Sequence, residues 1–169
     1  MLFRSAVMLR TGTRRVGCFG LARSGEASSW VGRASDIVVT GGVIAGSANL
    51  FNLLDLRPGR SLKAGLATLA LSDHVRAVSW APGAAIAGAT AAAVPDDLAG
   101  ETMLGDTGAN ALGAAIGTIL AETADPARRR VILAVLLGLT LASEKVSFTS
   151  VIESTPGLAE IDSFGRGDV

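Results

Sequence analysis

Long uncharged stretches alternate with short charged segments along this 169-residue chain. Asp, Glu, Lys and Arg are absent from residues 37–54, 77–95, 107–121 and 131–143. A helix that crosses the hydrocarbon core of a membrane needs about 20 mostly apolar residues, whereas a surface helix of a soluble protein carries a charged face. A shorter apolar run, residues 64–72, is predicted as a half-helix or as part of the next span. The pattern therefore predicts an all-α fold, a polytopic transmembrane bundle of four to five helices, with a soluble Ala-rich bundle as the alternative.

Small residues dominate the predicted spans and indicate how these helices would pack. The chain holds 21 glycines, and two pairs of them, Gly42 with Gly46 and Gly113 with Gly117, are four positions apart. Membrane helices associate through close backbone contact, which small residues at this spacing permit. We therefore predict that both glycine pairs lie at helix–helix interfaces.

Composition and charge exclude several classes of protein. Apolar residues make up 49% of the chain, which is too many for an intrinsically disordered protein. A single cysteine excludes a disulfide framework. The formal net charge of zero provides no basic surface for nucleic acid, so we expect no nucleic-acid partner.

The charged residues divide the chain into three parts. Residues 1–35 carry six arginines and no acidic residue before Glu26, which is typical of a basic leader that is disordered or foreign to the fold. Residues 36–150 contain the predicted transmembrane bundle. Residues 151–169 form a polar C-terminal tail.

Polar side chains interrupt the end of the first predicted span, where the sequence reads SANLFNLLDLRPGR. Asn49, Asn52 and Asp55 recur every three residues, which places them on one side of a helix. Arg57 and Arg60 follow directly, on a turn marked by a Pro-Gly pair. Two amides and a carboxylate beside guanidinium groups suit a metal ion or a phosphate group, but helix capping and interfacial anchoring explain the same pattern.

A second polar group lies in MLGDTGANALG, residues 103–113. Asp106 stands where an apolar helix is predicted to begin, and its carboxylate suits Mg²⁺, which prefers one or two carboxylates together with substrate phosphates. An ordinary helix N-cap is the alternative interpretation. The acidic residues just upstream, Asp96, Asp97 and Glu101, are predicted to be solvated.

A third group follows the last predicted span, between residues 143 and 153. Five polar residues alternate with apolar ones there: Glu144, Lys145, Ser147, Thr149 and Glu153. They would line a polar cavity or form one face of an amphipathic segment on the membrane surface.

Three motifs together, NLFNLLDLRPGR, MLGDTGANALG and SEKVSFTSVIE with the later IDSFGR, resemble the polyprenyl-phosphate sugar-1-phosphate transferase superfamily over about residues 36–166. This family includes the phospho-N-acetylmuramoyl-pentapeptide translocase. The resemblance implies a multi-pass enzyme of the bacterial plasma membrane that acts in cell-envelope glycan synthesis. It would transfer a sugar 1-phosphate from a UDP-sugar to a polyprenyl phosphate, with Mg²⁺ as cofactor.

The resemblance also implies roles for individual residues. Asp106 would bind the metal, and Asp106 and Asp55 would be the catalytic residues. The residues expected to bind substrate are Asn49, Asn52, Arg57, Arg60 and Asn110. The two arginines are our own addition, since a guanidinium group holds phosphate oxygens in bidentate fashion.

The chain also departs from the family pattern. The family's early pair of adjacent aspartates should precede residue 36 and is absent there, and members have about twice as many spans. We therefore expect a C-terminal half that is inactive as this fragment, with either a missing N-terminal half or a second copy of the chain as its protein partner. A non-catalytic membrane fragment or interaction subunit of the same fold is the alternative, and a small transporter-like bundle is a third interpretation.

Overall fold

The computed structural model describes residues 30–71 and 80–166, and these residues are arranged as helices and short connections without a strand. The helices are α1 (Trp30–Leu54), α2 (Arg60–Leu71), α3 (Trp80–Leu98), α4 (Gly105–Thr123), α5 (Pro126–Ser143), α6 (Phe148–Ser154) and α7 (Leu158–Ser163). The predicted all-α fold is confirmed. The apolar run at 64–72 was predicted as a half-helix or as part of the next span; its residues 64–71 lie in α2, which has 12 residues, and residue 72 lies outside the described part of the chain.

The predicted leader and tail both overlap described helices. Helix α1 begins at Trp30, so its first turns lie within the predicted leader, and residues 1–29 lie outside the described part of the chain. At the other end, the predicted polar tail contains the last part of α6 and all of α7. The segment predicted as a polar tail is therefore partly helical.

Helix α1 lies at the centre of the bundle and packs closely against α4. A Cβ atom built on Gly113 would lie 2.5 Å from the carbonyl oxygen of Ser47 and 2.7 Å from Cα of Ala48. A Cβ atom on Gly117 would lie 2.8 Å from Cβ of Ser47. Since both contacts are with backbone or with the first side-chain atom, only glycine lets the two helices approach this closely. The predicted interface role of this glycine pair is confirmed.

Helix α5 packs on another side of α1 and runs in the same direction. Gly42 faces Leu133, and Gly46 faces Leu136, with virtual Cβ contacts of 2.9 and 3.1 Å. One turn further along, the Asn49 amide donates a hydrogen bond of 3.1 Å to the Thr140 hydroxyl. The second glycine pair is thus also at an interface, as predicted.

Local sequence explains where α5 begins. The Asp125 carboxylate accepts hydrogen bonds from the backbone amides of Ala127 and Arg128, at 3.0 and 2.9 Å. Pro126 occupies the first helical position, where its missing N–H group costs nothing. Helix α5 therefore has a side-chain cap, and the chain reverses between α4 and α5 within two residues.

One described helix, α1, is long and apolar enough to cross a membrane. Helices α5 and α6 pass the same test only as a pair, and the chain bends by 94° at the break between them. Helices α3 and α4 have 19 residues each, but they are rich in Ala and Gly, which contribute less hydropathy than Leu, Ile or Val. Large apolar side chains are exposed on α1 and α5, among them Val38, Val131 and Leu141.

Candidate functional site

The connection between α1 and α2 is a turn whose shape depends on Gly59. This residue has a φ of 77°, a conformation that side chains disfavour, and a Cβ atom here would collide with the Leu98 side chain. Its backbone amide donates a hydrogen bond to Oδ2 of Asp97, at the end of α3. The Ser61 hydroxyl, fully buried, donates a 2.6 Å hydrogen bond to the Phe51 carbonyl. The turn is therefore held at both ends.

The carboxyl group of Asp55 lies at the start of this turn and is nearly buried, with 9% of the residue exposed. Its Oδ2 atom is buried without a hydrogen-bond partner, and so is Oδ1 of Asn52, one helical turn earlier. Burial raises the pKa of Asp55, and the negative charges of Asp97 and Asp106 raise it further. The backbone amide of Gly105 opposes this shift. Carboxylates from two other segments, the end of α3 and the start of α4, thus act on Asp55 at this end of α1.

Asp106 is the second residue of α4 and is exposed. The position preceding the helix is Leu104, whose side chain makes no cap hydrogen bond, so Asp106 is not an N-cap. A carboxylate in the first helical turn is favoured by the helix dipole. The amide of Asn110 donates a 2.7 Å hydrogen bond to the Asp106 carbonyl within the same helix.

The two predicted asparagines of α1 have different surroundings. Asn49 is bonded to Thr140 in the interface with α5, whereas Asn52 presents an unpartnered buried oxygen near the start of the turn. Spacing of three places both on one side of the helix, but only the packing of neighbouring helices decides which partner each one meets. Of the pair, Asn52 is the one with a buried, unpartnered oxygen, and it lies one helical turn before Asp55.

The prediction that the acidic residues upstream of Asp106 are solvated is wrong for Asp97. Asp96 and Glu101 are exposed, but Asp97 is only 3% exposed and accepts a hydrogen bond from the Gly59 amide. Asp97 is buried because of the tertiary packing, in which the last turn of α3 lies on the Pro-Gly turn, 38 positions earlier in the chain. No spacing in the sequence connects these two positions, so pattern reasoning missed this residue.

Arg60 forms a buried, bidentate ion pair with Asp162 of α7. Its Nε lies 2.8 Å from Oδ1, and its Nη2 lies 2.9 Å from Oδ2. The residues are 5% and 8% exposed. The Nη1 atom donates a 3.1 Å hydrogen bond to the Thr149 hydroxyl, at the start of α6. Arg60, which was predicted to bind a phosphate group, is therefore already paired with a carboxylate.

Two further cations complete the contact around Asp162. Arg166 donates from Nη2 to Oδ2 of Asp162 at 2.9 Å, and the Lys63 ammonium donates to the Asp162 carbonyl at 2.7 Å. The hydrogen bonds from Arg60, aided by those from Arg166, lower the pKa of Asp162 from its ordinary value of 3.8 to about 2. Burial lowers the pKa of Lys63. The IDSFGR motif, which carried the resemblance but no predicted role, thus anchors the C-terminal helices on α2.

Arg57 also faces a carboxylate of the C-terminal segment. Its Nη2 atom forms an ion pair with Glu153 of α6, and the two side chains are 43% and 48% exposed. Unlike the Arg60 pair, this contact is a single one, at the surface. Both predicted phosphate-binding arginines are therefore paired within the chain: Arg60 in a buried ion pair and Arg57 in an exposed one.

Among residues 30–71 and 80–166, no three His, Cys, Asp or Glu side chains lie close enough together to hold a metal ion by themselves. Mg²⁺ does not require such a group, since it is bound through one or two carboxylates plus water and substrate phosphates. The buried, unpartnered oxygens of Asp55 and Asn52 are donors of the type that Mg²⁺ prefers. The residues present therefore fit a Mg²⁺ that is shared with a substrate.

No family model, no curated protein and no solved structure matches this chain. The resemblance to the sugar-1-phosphate transferases consequently stays a prediction from the three motifs. The described geometry itself defines a class of site: a group of oxygen donors at the end of a candidate membrane helix, followed along the chain by two arginines that pair with carboxylates of α6 and α7.

Proposed function

We propose that the chain is the C-terminal part of a Mg²⁺-dependent membrane enzyme that transfers a sugar 1-phosphate from a UDP-sugar to a polyprenyl phosphate. The observation that carries this proposal is the proximity of the buried Asp55 carboxyl group to the start of α4, where the Gly105 amide lowers its pKa and the charge of Asp106 raises it. Asp55 and Asp106 belong to motifs that are 51 positions apart in the sequence, and the resemblance assigns both to one site. An accidental likeness gives no reason for these motifs to share an electrostatic environment.

Each residue of the site has a definite proposed task. Asp106 and Asp55 hold a Mg²⁺, which neutralises phosphate charge when it is bound. Asn52 supplies a further oxygen on the same side of α1. Asp97 positions the turn by holding the Gly59 amide. Charge neutralisation and alignment are the main requirements when one phosphate ester displaces another.

The arginines divide between two tasks. Arg57 is exposed enough to reach a phosphate group of the substrate. Arg60, with both carboxylate oxygens of Asp162 already bound, is assigned to the architecture rather than to the substrate. Asn49 and Asn110 likewise hold helices in this proposal, because their amides already donate to Thr140 and to the Asp106 carbonyl.

We further propose that α3 and α4 cross the bacterial plasma membrane with α1 and the bent α5–α6 pair, giving a multi-pass bundle. The exposed apolar surfaces of α1 and α5 support contact with lipid. The close contacts of Gly113 and Gly117 with α1 support a membrane bundle as well, since such close approach is characteristic of helices packed in membranes.

The proposal is tested by measuring UDP binding to the full chain in uncharged detergent, with and without Mg²⁺. We expect Mg²⁺ to strengthen binding to the wild-type chain and to have no effect on Asp106→Asn. Glu101→Gln is the matched control, because it removes an exposed carboxylate from the segment just before α4 and should keep the Mg²⁺ effect. An affinity for UDP that is the same with and without Mg²⁺ in all three proteins would refute the metal assignment.

A non-catalytic membrane subunit is the second candidate function. It is favoured by the pairing of both arginines with carboxylates of the same chain, which leaves them occupied. The enzyme and the subunit are distinguished by co-expressing the chain with polypeptides translated from the DNA upstream of residue 36. The measurement is transfer of sugar phosphate to a polyprenyl phosphate. A Mg²⁺-dependent lipid-linked product supports the enzyme, and its absence together with absent UDP binding supports the subunit.

A further inference from the structure

The two arginine–carboxylate contacts between the α1–α2 turn and the C-terminal helices differ in strength. The Arg60–Asp162 pair is buried, bidentate and supported by neighbouring donors. The Arg57–Glu153 pair is a single contact, with nearly half of each side chain exposed. Exposed ion pairs of this type contribute little to stability, whereas buried, fully bonded pairs resist separation. Only the Arg57 contact can therefore open at small cost.

The chemistry of Arg57 suits an exchange of partners. A guanidinium group presents parallel N–H donors that match a carboxylate and a phosphate group equally well. Glu153 thus occupies the position that a phosphate oxygen would take on the same guanidinium. Arg57 lies two residues after Asp55, so an anion bound there would be next to the carboxylates at the end of α1.

We propose that Glu153 is an autoinhibitory residue that covers Arg57 until a phosphate group of the substrate displaces it. This inference rests on the proposed function for the identity of the substrate, but the exchange itself requires only a phosphate group. The displacement leaves the C-terminal helices in place, because Asp162 stays bound to Arg60 and Thr149 accepts from the same guanidinium.

The experiment is isothermal titration of the full chain in uncharged detergent with three separate probes: inorganic pyrophosphate, UDP and farnesyl phosphate. Glu153→Gln removes the competing charge, and we expect it to strengthen pyrophosphate binding by about two- to fivefold, the range that an exposed ion pair allows. Glu160→Gln is the matched control, because it removes an exposed carboxylate from the neighbouring helix α7 and should leave the affinity unchanged.

A double-mutant cycle separates competition at Arg57 from a general effect of charge. In the Arg57→Gln background, Glu153→Gln should produce no gain, because the guanidinium that the two anions share is absent. An equal gain in both backgrounds would overturn the proposal, and so would equal pyrophosphate affinity in the wild-type chain and Glu153→Gln, or no pyrophosphate binding by either.

The probes also distinguish failure of this inference from failure of the proposed function. A gain for pyrophosphate, with UDP and farnesyl phosphate both bound no more tightly than pyrophosphate, supports the exchange at Arg57 and refutes the transferase proposal. Mg²⁺-dependent UDP binding without any effect of Glu153→Gln supports the transferase and refutes the exchange. If both hold, the probe with the larger gain identifies whether the nucleotide or the lipid phosphate displaces Glu153.

Discussion

Replacing Asp162 by Asn should detach the C-terminal helices from α2. The substitution keeps the shape of the side chain but removes its charge, and it replaces one of the two oxygens that accept from Arg60 with an N–H₂ donor. The pKa of Asp162 falls from 3.8 to about 2 in the folded protein, which corresponds to roughly 2 kcal/mol of stabilisation. Leaving Arg60 buried and unpaired raises the expected loss, since breaking a buried pair costs about 3–5 kcal/mol.

Hydrogen exchange of the full chain in detergent measures this loss locally. We expect faster exchange across residues 148–166 in Asp162→Asn, while α1 and α4 keep their protection. Glu160→Gln, an exposed carboxylate on the same helix, should exchange like the wild-type chain. Wild-type protection of α6 and α7 in Asp162→Asn would refute the idea that this ion pair anchors them.

The same contact predicts a dependence on pH. Because the pKa of Asp162 is lower in the folded protein, its stabilisation is complete above about pH 4 and is lost as the pH falls towards 2. Exchange across residues 148–166 in the wild-type chain should therefore accelerate, beyond its intrinsic pH dependence, between these values. In Asp162→Asn this acid-dependent step should be missing, and its persistence there would assign it to another group.

Three further outcomes follow from the packing and the charges. Gly113→Ala should destabilise the bundle by about 1–3 kcal/mol, because its Cβ would lie 2.5 Å from a backbone oxygen of α1. The matched Gly138→Ala, with nothing within 4 Å of the new Cβ, should stabilise it by up to about 1 kcal/mol through helix propensity. Equal melting temperatures would contradict the assigned interface. Gly59→Ala should cost about 1–3 kcal/mol, since alanine at a φ of 77° is strained, and unchanged thermal unfolding would argue against the tight turn. Asp55→Asn should raise the melting temperature at pH 7, because burial and the negative charge of Asp97 destabilise the ionised form of Asp55. This gain should shrink as the pH falls through the raised pKa of Asp55, and a lower melting temperature would show that the carboxylate stabilises the fold.

The fold class and the interface role of the glycine pairs were predictable because they depend on local composition and spacing. Uncharged stretches bounded by Asp, Arg and Pro predicted helices, and the glycine spacing predicted which faces pack. The number of membrane spans was less predictable, because Ala and Gly favour close packing but add little hydropathy. By length and hydropathy, α1 is apolar enough to cross a membrane without a second helix, whereas α3 and α4 are not.

The sequence by itself determined the helical class, the close-packed glycine faces and the motifs that contain Asp55 and Asp106. Only the tertiary structure decided which charges meet. Asp97 is buried against Gly59, and Arg60 is bound by Asp162, which is 102 positions away. A helical pattern specifies which side of its own helix a residue occupies. The partner across the interface depends on how separate helices pack, and that depends on every contact in the bundle at once.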